Sequence, residues 1–359
     1  MIALLQRVQR VREAMPQEVD GILVFQPQNR RWVSGFTGSS GVAIVGRKGK
    51  PVFLTDFRYT EQAGQQCQGF EVIQHGQEMV ADIKEAANRL GLKKLGFEKD
   101  YVTVGQHAKL AEGLAGIELV GLDDTILELR GIKDQQELEI LAEAVAIGDK
   151  AFTHILGFLR PGLTERQVAL ELERHMQDLG STAASFETIL ASGPRSAMPH
   201  GVATERVLQK NEFVKMDYGC IYKGYCSDMT RTVVLGKADD KQREIYNIVL
   251  EAQLAAISGI KAGMTGKEAD SLARDVITAR GYGDNFGHGL GHGVGLAIHE
   301  HPRAGIASEN VLAVNNVVTA EPGIYIPGWG GVRIEDMLVV EEGGCRNLTA
   351  SPKELIEII

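Results

Sequence analysis

Four carboxylates and one imidazole, repeated in similar surroundings between residues 213 and 335, are the side chains of this sequence best suited to chemistry. The first pair is Asp217, in Phe213-Val-Lys-Met-Asp217-Tyr-Gly219, and Asp228, in Ser227-Asp228-Met-Thr-Arg231. The second is Glu321, in Val317-Val-Thr-Ala-Glu321-Pro-Gly323, and Glu335, in Arg333-Ile-Glu335-Asp336. Between them runs Gly287-His288-Gly-Leu-Gly-His292-Gly-Val-Gly295, and then His299-Glu-His301-Pro302. β-Branched and aromatic neighbours predict strands around both carboxylates of each pair. A carboxylate facing an apolar sheet is expensive unless something neutralises it, so the pattern points to bound cations.

Asp217, Asp228, His292, Glu321 and Glu335 together offer hard oxygen donors with little nitrogen. Such a set suits a pair of Mn²⁺, Co²⁺, Fe²⁺ or Zn²⁺ ions better than a lone structural zinc, which prefers Cys and His. Two cations about 3.5–4 Å apart can hold a bridging hydroxide, lower the pKa of that water and polarise the carbonyl it attacks. A neighbouring carboxylate then moves the proton, and a histidine stabilises the oxyanion. Rival chemistries lack their signatures. The alternate glycines from 287 to 295 make a zinc-binding helix through His288 and His292 improbable, and HExxH, GxGxxG and GxSxG are all absent. Cys220 and Cys226 lie near Asp217 and Asp228, but soft thiolates match this set poorly and packing explains them better.

The elements that must position these residues show a weak duplication. Leu159-Arg-Pro-Gly162-Leu-Thr164-Glu165 resembles Ile260-Lys-Ala-Gly263-Met-Thr265-Gly266, offset by 101 positions, and each lies between two helical patterns. In each copy the glycine is expected to end one helix at C′ and the threonine to cap the next. Asp217-Tyr-Gly219 and Glu321-Pro-Gly323 repeat at an offset of 104. The near-equal offsets predict two related helix–helix–sheet halves with the metals at their joint.

Upstream, apolar runs at 21–25, 41–46, 51–55, 70–73 and 117–120 read as strands, and 78–90 and 103–114 as helices, predicting an α/β domain with a mixed sheet. Ser34–Gly41 reads as a turn, and Asp56, Arg58 and Tyr59 as a polar cluster at an interface, at the rim of a substrate site, or in a solvated loop. The pattern breaks around 122–134 before a helix begins at Gln135, placing domains at 1–127 and 128–359. A net charge of −9 without a basic block argues against a nucleic-acid partner. The arginine-interrupted amphipathic start lacks a signal-peptide core, and no apolar run is long enough for a bilayer. Four cysteines without CxxC spacing read as reduced thiols, so a cytoplasmic protein with no membrane partner is expected.

The chain resembles the Xaa-Pro dipeptidase (prolidase) and aminopeptidase P family of metallopeptidases over essentially its whole length. Ser185-Phe-Glu-Thr-Ile189, Pro199-His200-Gly201, Asp217-Tyr-Gly219, Ser227-Asp228-Met-Thr-Arg-Thr232, Gly291-His292-Gly-Val-Gly295, His299-Glu-His-Pro302, Glu321-Pro-Gly323 and Arg333-Ile-Glu335-Asp336 carry the resemblance, in the family's order. It implies an α+β chain with a creatinase-like N-terminal α/β domain and a duplicated "pita-bread" catalytic domain. It carries the five metal ligands onto Asp217, Asp228, His292, Glu321 and Glu335. It also places His200 and His299 beside the substrate, His299 near the scissile carbonyl, and makes Glu321 a proton shuttle as well as a ligand. His288, Tyr325, Arg333 and Arg303 fall at substrate-side or supporting positions, with Arg303 suited to a terminal carboxylate. The implied activity is hydrolysis of Xaa-Pro bonds in dipeptides or short peptides by a homodimer holding two divalent ions per chain, Mn²⁺ or Co²⁺ first, Zn²⁺ or Fe²⁺ also compatible. The compact length favours a dipeptidase over aminopeptidase P. A non-catalytic binding module of the same fold and a phosphate-ester hydrolase are the other readings weighed. The intact ligand set opposes the first, and the scarcity of Arg and Lys near the ligands opposes the second.

Overall fold

Short apolar runs alternating with helices build the first of two units, Met1–Arg130. This computed structural model describes residues 2–359. In chain order the first unit holds α1 (Ile2–Ala14), β1 (Gly21–Val24), α2 (Pro27–Ser34), β2 (Val42–Gly46), β3 (Val52–Thr55), α3 (Thr60–Gln66), β4 (Glu71–Gln74), α4 (Met79–Arg89), β5 (Lys94–Glu98), α5 (Val104–Gly113), β6 (Glu118–Leu122) and α6 (Thr125–Gly131). Its six strands lie in the order β4-β3-β2-β1-β5-β6. β1, β5 and β6 run parallel, while β2 is antiparallel to both neighbours, giving the mixed sheet that the strand–helix alternation predicts.

Helices α2 and α3 and strand β5 are missed by periodicity because they are short or carry few apolar residues. Local chemistry nonetheless defines α2. Pro27 opens it, the Gln26 side chain accepts the Asn29 N–H, and Gly35 ends it at φ +77°, in the left-handed region that suits glycine. The Ser34–Gly41 segment is therefore a helix end leading into β2. Asp56 and Arg58 form an exposed ion pair with each other at 2.8 Å, and the Tyr59 hydroxyl meets Ser39.

The second unit, Gly131–Ile359, contains α7 (Gln135–Phe158), α8 (Glu165–Asp178), β7 (Ala183–Ala184), β8 (Ile189–Ser192), β9 (Glu212–Tyr218), β10 (Cys220–Tyr222), β11 (Tyr225–Cys226), β12 (Met229–Leu235), α9 (Asp240–Gly259) and α10 (Gly266–Ala279). There follow β13 (Gly291–Gly293), β14 (Glu300–Ala304), β15 (Val317–Ala320), β16 (Gly323–Ile326), β17 (Gly330–Arg333), β18 (Asp336–Val340), β19 (Cys345–Asn347) and β20 (Glu357–Ile358). The division at 130/131 falls within α6, three residues beyond the boundary drawn from the pattern break.

Two helix pairs, α7–α8 and α9–α10, each bury an apolar stripe against a sheet. The first core joins Ala151, Phe152, Ile155, Val168 and Leu172 to Val214, Met216 and Val233 of β9 and β12. The second joins Ile245, Val249, Ala252, Ala269 and Ala273 to Val318, Ala320, Leu338 and Val340 of β15 and β18. The sheets run β20-β12-β9-β8 and β14-β13-β15-β18-β19, beside a β16–β17 hairpin. Thr164 and Thr265 cap α8 and α10 with full capping boxes through Gln167 and Glu268, as the repeat predicts. The glycines do not sit at C′. α7 and α9 have Leu159 and Ile260 as their C-caps, and Gly162 and Gly263 lie three residues later with φ of +93° and +87°, turning the chain ahead of the threonine caps. Among the described residues, no helix is long and apolar enough to cross a membrane.

Candidate metal centre

Of the four carboxylates, Asp217 lies on a strand, β9, whereas Asp228, Glu321 and Glu335 occupy breaks between strands. The expectation of strands at all four is thus corrected. A regular pleat would send neighbouring side chains to opposite faces, and the breaks free three carboxylates to turn towards a common point. His292 stands at the centre of β13 between close backbone approaches. A Cβ on Gly291 would strike the Thr319 backbone, and one on Gly293 the His301 carbonyl, so the alternate glycines serve packing.

Asp228, His292 and Glu335 each present a ligand atom within 4.8 Å of the others, and all three are buried. His292 Nε2 lies 3.6 Å from Asp228 Oδ2 and 3.4 Å from Glu321 Oε1. Asp217 joins them through Arg333, which pairs with its Oδ2 and lies 3.9 Å from Glu321 Oε2. All five residues line one cavity of about 1020 Å³, together with His200, His288, His299, Arg303 and Arg333.

Charge is crowded here. Burial first, then Glu335, Asp217 and Glu321, hold the Asp228 carboxyl well above its ordinary range, and burial with the neighbouring carboxylates does the same to Glu335. Burial raises Glu321 to about 7, and burial lowers His292 to about 3. The His292 tautomer follows from its surroundings. Nδ1 faces the Gly293 carbonyl at 3.1 Å, which can only accept, so Nδ1 carries the proton and the Nε2 lone pair looks at two carboxylates. Asp217 Oδ1 and Glu335 Oε1 are buried without any hydrogen-bond partner. A lone pair aimed at anions, and two orphaned carboxylate oxygens, are what a divalent cation would satisfy, so the residues present fit such ions.

Supporting contacts hold the donors in place. The Thr230 hydroxyl donates to Glu335 Oε2 at 2.6 Å, and the Thr319 hydroxyl to Glu321 Oε1 at 3.1 Å. The Arg333 guanidinium also donates to Thr230 Oγ1, to Pro199 O and, at 2.7 Å, to the Tyr325 hydroxyl. Arg231 pairs with Asp336 in the interior and donates to Glu335 O, fixing the turn beside that carboxylate. Buried Lys215 reaches Met198 O at 2.5 Å and Pro199 O at 3.3 Å, immediately before His200. Sequence reasoning missed Thr230, Thr319, Arg231 and Lys215. Thr319 could have been found, since it lies two residues from the carboxylate it holds, whereas Thr230 serves Glu335, 105 positions away.

The substrate-side residues separate into two groups. His200, His299 and Arg303 line the cavity, and the His299 ring meets His292 edge-on with centroids 4.3 Å apart. His288 also lines it, but both its nitrogens are engaged, Nδ1 donating to Gly289 O and Nε2 accepting from the Tyr325 hydroxyl, each at 2.8 Å. Burial lowers His288 to about 4, in keeping with this neutral form. Tyr325 is buried behind His288 and Arg333 and does not line the cavity. None of the four cysteines belongs to the donor cluster.

A buried carboxylate–imidazole cluster, shared by two repeated helix–helix–sheet halves and opening into one cavity, has the donors of a metal-dependent enzyme. Comparison with known proteins makes the assignment specific: residues 139–342 match metallopeptidase family M24, and residues 7–132 match the creatinase/prolidase N-terminal domain. The chain belongs to metallopeptidase family M24, with a creatinase-type domain before the pita-bread catalytic domain. It is 49% identical to a Xaa-Pro dipeptidase of Pyrococcus furiosus over 239 residues, 67% of this chain and 69% of that one. The solved Xaa-Pro dipeptidase from Bacillus anthracis is 48% identical, with a TM-score of 0.96 and 99% of each chain covered. The solved X-Pro aminopeptidase from Thermotoga maritima is 37% identical, with a TM-score of 0.90, covering 94% of this chain and 97% of that one. Membership of a peptidase family sets aside the phosphate-ester hydrolase, and the intact donor set, with dipeptidases at 48–49% identity, opposes the non-catalytic module.

Proposed function

We propose that this metallopeptidase hydrolyses the Xaa-Pro bond of dipeptides, with Asp217, Asp228, His292, Glu321 and Glu335 as ligands of two divalent cations, Mn²⁺ or Co²⁺ before Zn²⁺ or Fe²⁺. The observation that carries the metal reading is the His292 Nε2 lone pair directed at Asp228 and Glu321 beside the orphaned oxygens of Asp217 and Glu335. When bound, such cations acidify a water molecule and polarise the scissile carbonyl. Glu321, on the cavity wall 3.4 Å from His292 Nε2, can take a proton from the attacking water and return it to the leaving nitrogen. His299, beside His292 on the cavity wall, is placed to donate to the developing oxyanion, with His200 facing the same space. Arg333 and Tyr325 orient rather than contact: the guanidinium fixes Asp217, and the phenol fixes His288. Arg303, an exposed guanidinium on the cavity wall, receives the terminal carboxylate.

The names of the most similar relatives support the dipeptide substrate. A second reading, X-Pro aminopeptidase on longer peptides, is favoured by the cavity, whose about 1020 Å³ exceeds what a dipeptide fills. Assaying Ala-Pro against Ala-Pro-Xaa separates the two. Chelation should abolish cleavage, Mn²⁺ or Co²⁺ should restore it, and equal efficiency on the longer peptide would overturn the dipeptidase assignment. We place the protein in the cytoplasm, where thiols such as those of Cys67, Cys220 and Cys345 would stay reduced. The homodimer implied by the family resemblance is checked by light scattering on the purified chain.

A further inference from the structure

A buried ion pair with no part in the chemistry above stands behind the turn that carries His299. Lys133 Nζ lies 2.8 Å from Glu300 Oε1, and each side chain is 1% exposed. Lys133 also donates to Gly131 O at 3.3 Å, a carbonyl that takes a second hydrogen bond from Asn316 Nδ2 at 2.8 Å. The ammonium is thereby anchored to the first residues of the catalytic unit. The other Glu300 oxygen, Oε2, accepts the Ala297 N–H at 3.3 Å and closes the turn 297–300 around His299.

The backbone is shaped for this carboxylate. A Cβ on Gly295 would collide with Glu300 Oε1, so the last glycine of the Gly287–Gly295 loop admits Glu300 against the chain. Across the β13–β14 ladder, Glu300 pairs with Gly293, and the register shifts between His292 and Gly293. Such irregularities re-aim side chains beside active sites. The residue tethered by Lys133 therefore lies opposite the chain neighbour of His292, and its own neighbour, His299, meets the His292 ring at 4.3 Å. Stability alone is a weak reason to bury this pair, because apolar groups of the same volume commonly serve a fold as well.

We propose that Lys133 and Glu300 form a positioning pair that holds the 297–300 turn so that the His299 imidazole stands against His292 and faces the substrate. This rests on the reading of His299 as a group that acts in hydrolysis. The pair acts through His299, so its loss should lower kcat and leave KM nearly unchanged.

The test uses the full chain with Lys133→Met, Glu300→Gln, the double variant and Lys133→Arg, assayed on Ala-Pro with Mn²⁺ and melted in parallel, with crystal structures of the parent and double variant. Each single variant removes one charge of the buried ion pair and should melt lower, whereas the double variant should recover most of the parental Tm. We expect the double variant to keep kcat at least about 10-fold below the parent with KM within about twofold, since displacing a reacting group by about 1 Å can cost 10²-fold. Its His299 ring should have left the edge contact with His292, and Lys133→Arg should retain most of the activity. A double variant in which kcat returns together with Tm, or in which the ring contact is unchanged, overturns the proposal. Should the parent itself fail to cleave Ala-Pro, the substrate reading falls separately. The ring position in the double variant then decides the pair alone, displaced in favour and unchanged against.

Discussion

In the first half of the catalytic unit Glu165, at the start of α8, accepts hydrogen bonds from the N–H and hydroxyl of both Ser192 and Thr204 and pairs with Arg195. It thereby ties down the segment bearing His200. In the second half Asp270, one turn into α10, accepts the Leu290 N–H at 2.8 Å and pairs with Arg274, which donates to the carbonyls of Phe286 and His288. Each half thus uses a carboxylate on its second helix to hold a histidine-bearing loop, but at different positions. The counterpart of Glu165 is Gly266, where a Cβ would run into the Arg303 carbonyl. No side chain fits there, and the task falls to a residue one helical turn further on. The duplication preserves the work and the backbone frame, while local packing chooses the residue.

The sharpest way to break the symmetry is to remove one ligand from each half. Asp228→Asn and Glu335→Gln should each reduce turnover by more than about 10³-fold and lower bound metal on elemental analysis, because each deletes a donor from a shared site. A first-half variant that kept its metal and activity while the second-half variant lost both would show that the halves do not share one centre.

Next in size is the pH dependence of the metal-free protein. Glu321, Asp228 and Glu335 have folded pKa values raised above their unfolded ones. The stability they contribute is complete below about pH 4.3 and is lost as pH rises through the folded values, about 7 for Glu321. The shift at Glu321 alone corresponds to roughly 3 kcal/mol. His288 and His292, lowered by burial, act the other way below about pH 6.5. Three raised carboxylates outweigh two imidazoles, so metal-free protein should melt lower at pH 8 than at pH 5.5, and added Mn²⁺ should reverse that trend. A melting temperature that stays level over this range without metal would contradict the crowded-carboxylate picture.

Arg333 reaches from the second half to Asp217 in the first, so Arg333→Met tests the bridge between them. Loss of the guanidinium frees Asp217 and the Tyr325 hydroxyl together, and metal affinity by calorimetry should fall about 10–100-fold. Smallest are the paired loop anchors. Glu165→Gln and Asp270→Asn should each lower stability by about 1–3 kcal/mol in denaturant titrations. If only one does so, the two carboxylates are not equivalent devices.

The candidate donors were legible because a carboxylate in an apolar strand context needs an explanation at the level of the sequence. The repeat was legible through Thr164 and Thr265, whose capping boxes are local chemistry. Gly162 and Gly263 were misplaced because a positive-φ glycine marks a turn without saying how many residues separate it from the helix end. Lys215 and Lys133 gave no signal, since a lysine reads as surface until the fold shows it buried.

The sequence by itself singled out the candidate donors and the paired halves, because capping, periodicity and the cost of burying charge act on residues close in the chain. Only the tertiary structure decided which carbonyl fixes the His292 tautomer, which hydroxyl holds which carboxylate, and how Arg333, 116 positions from Asp217, comes to pair with it. Those contacts depend on two sheets meeting, and the meeting is set by the packing of both cores.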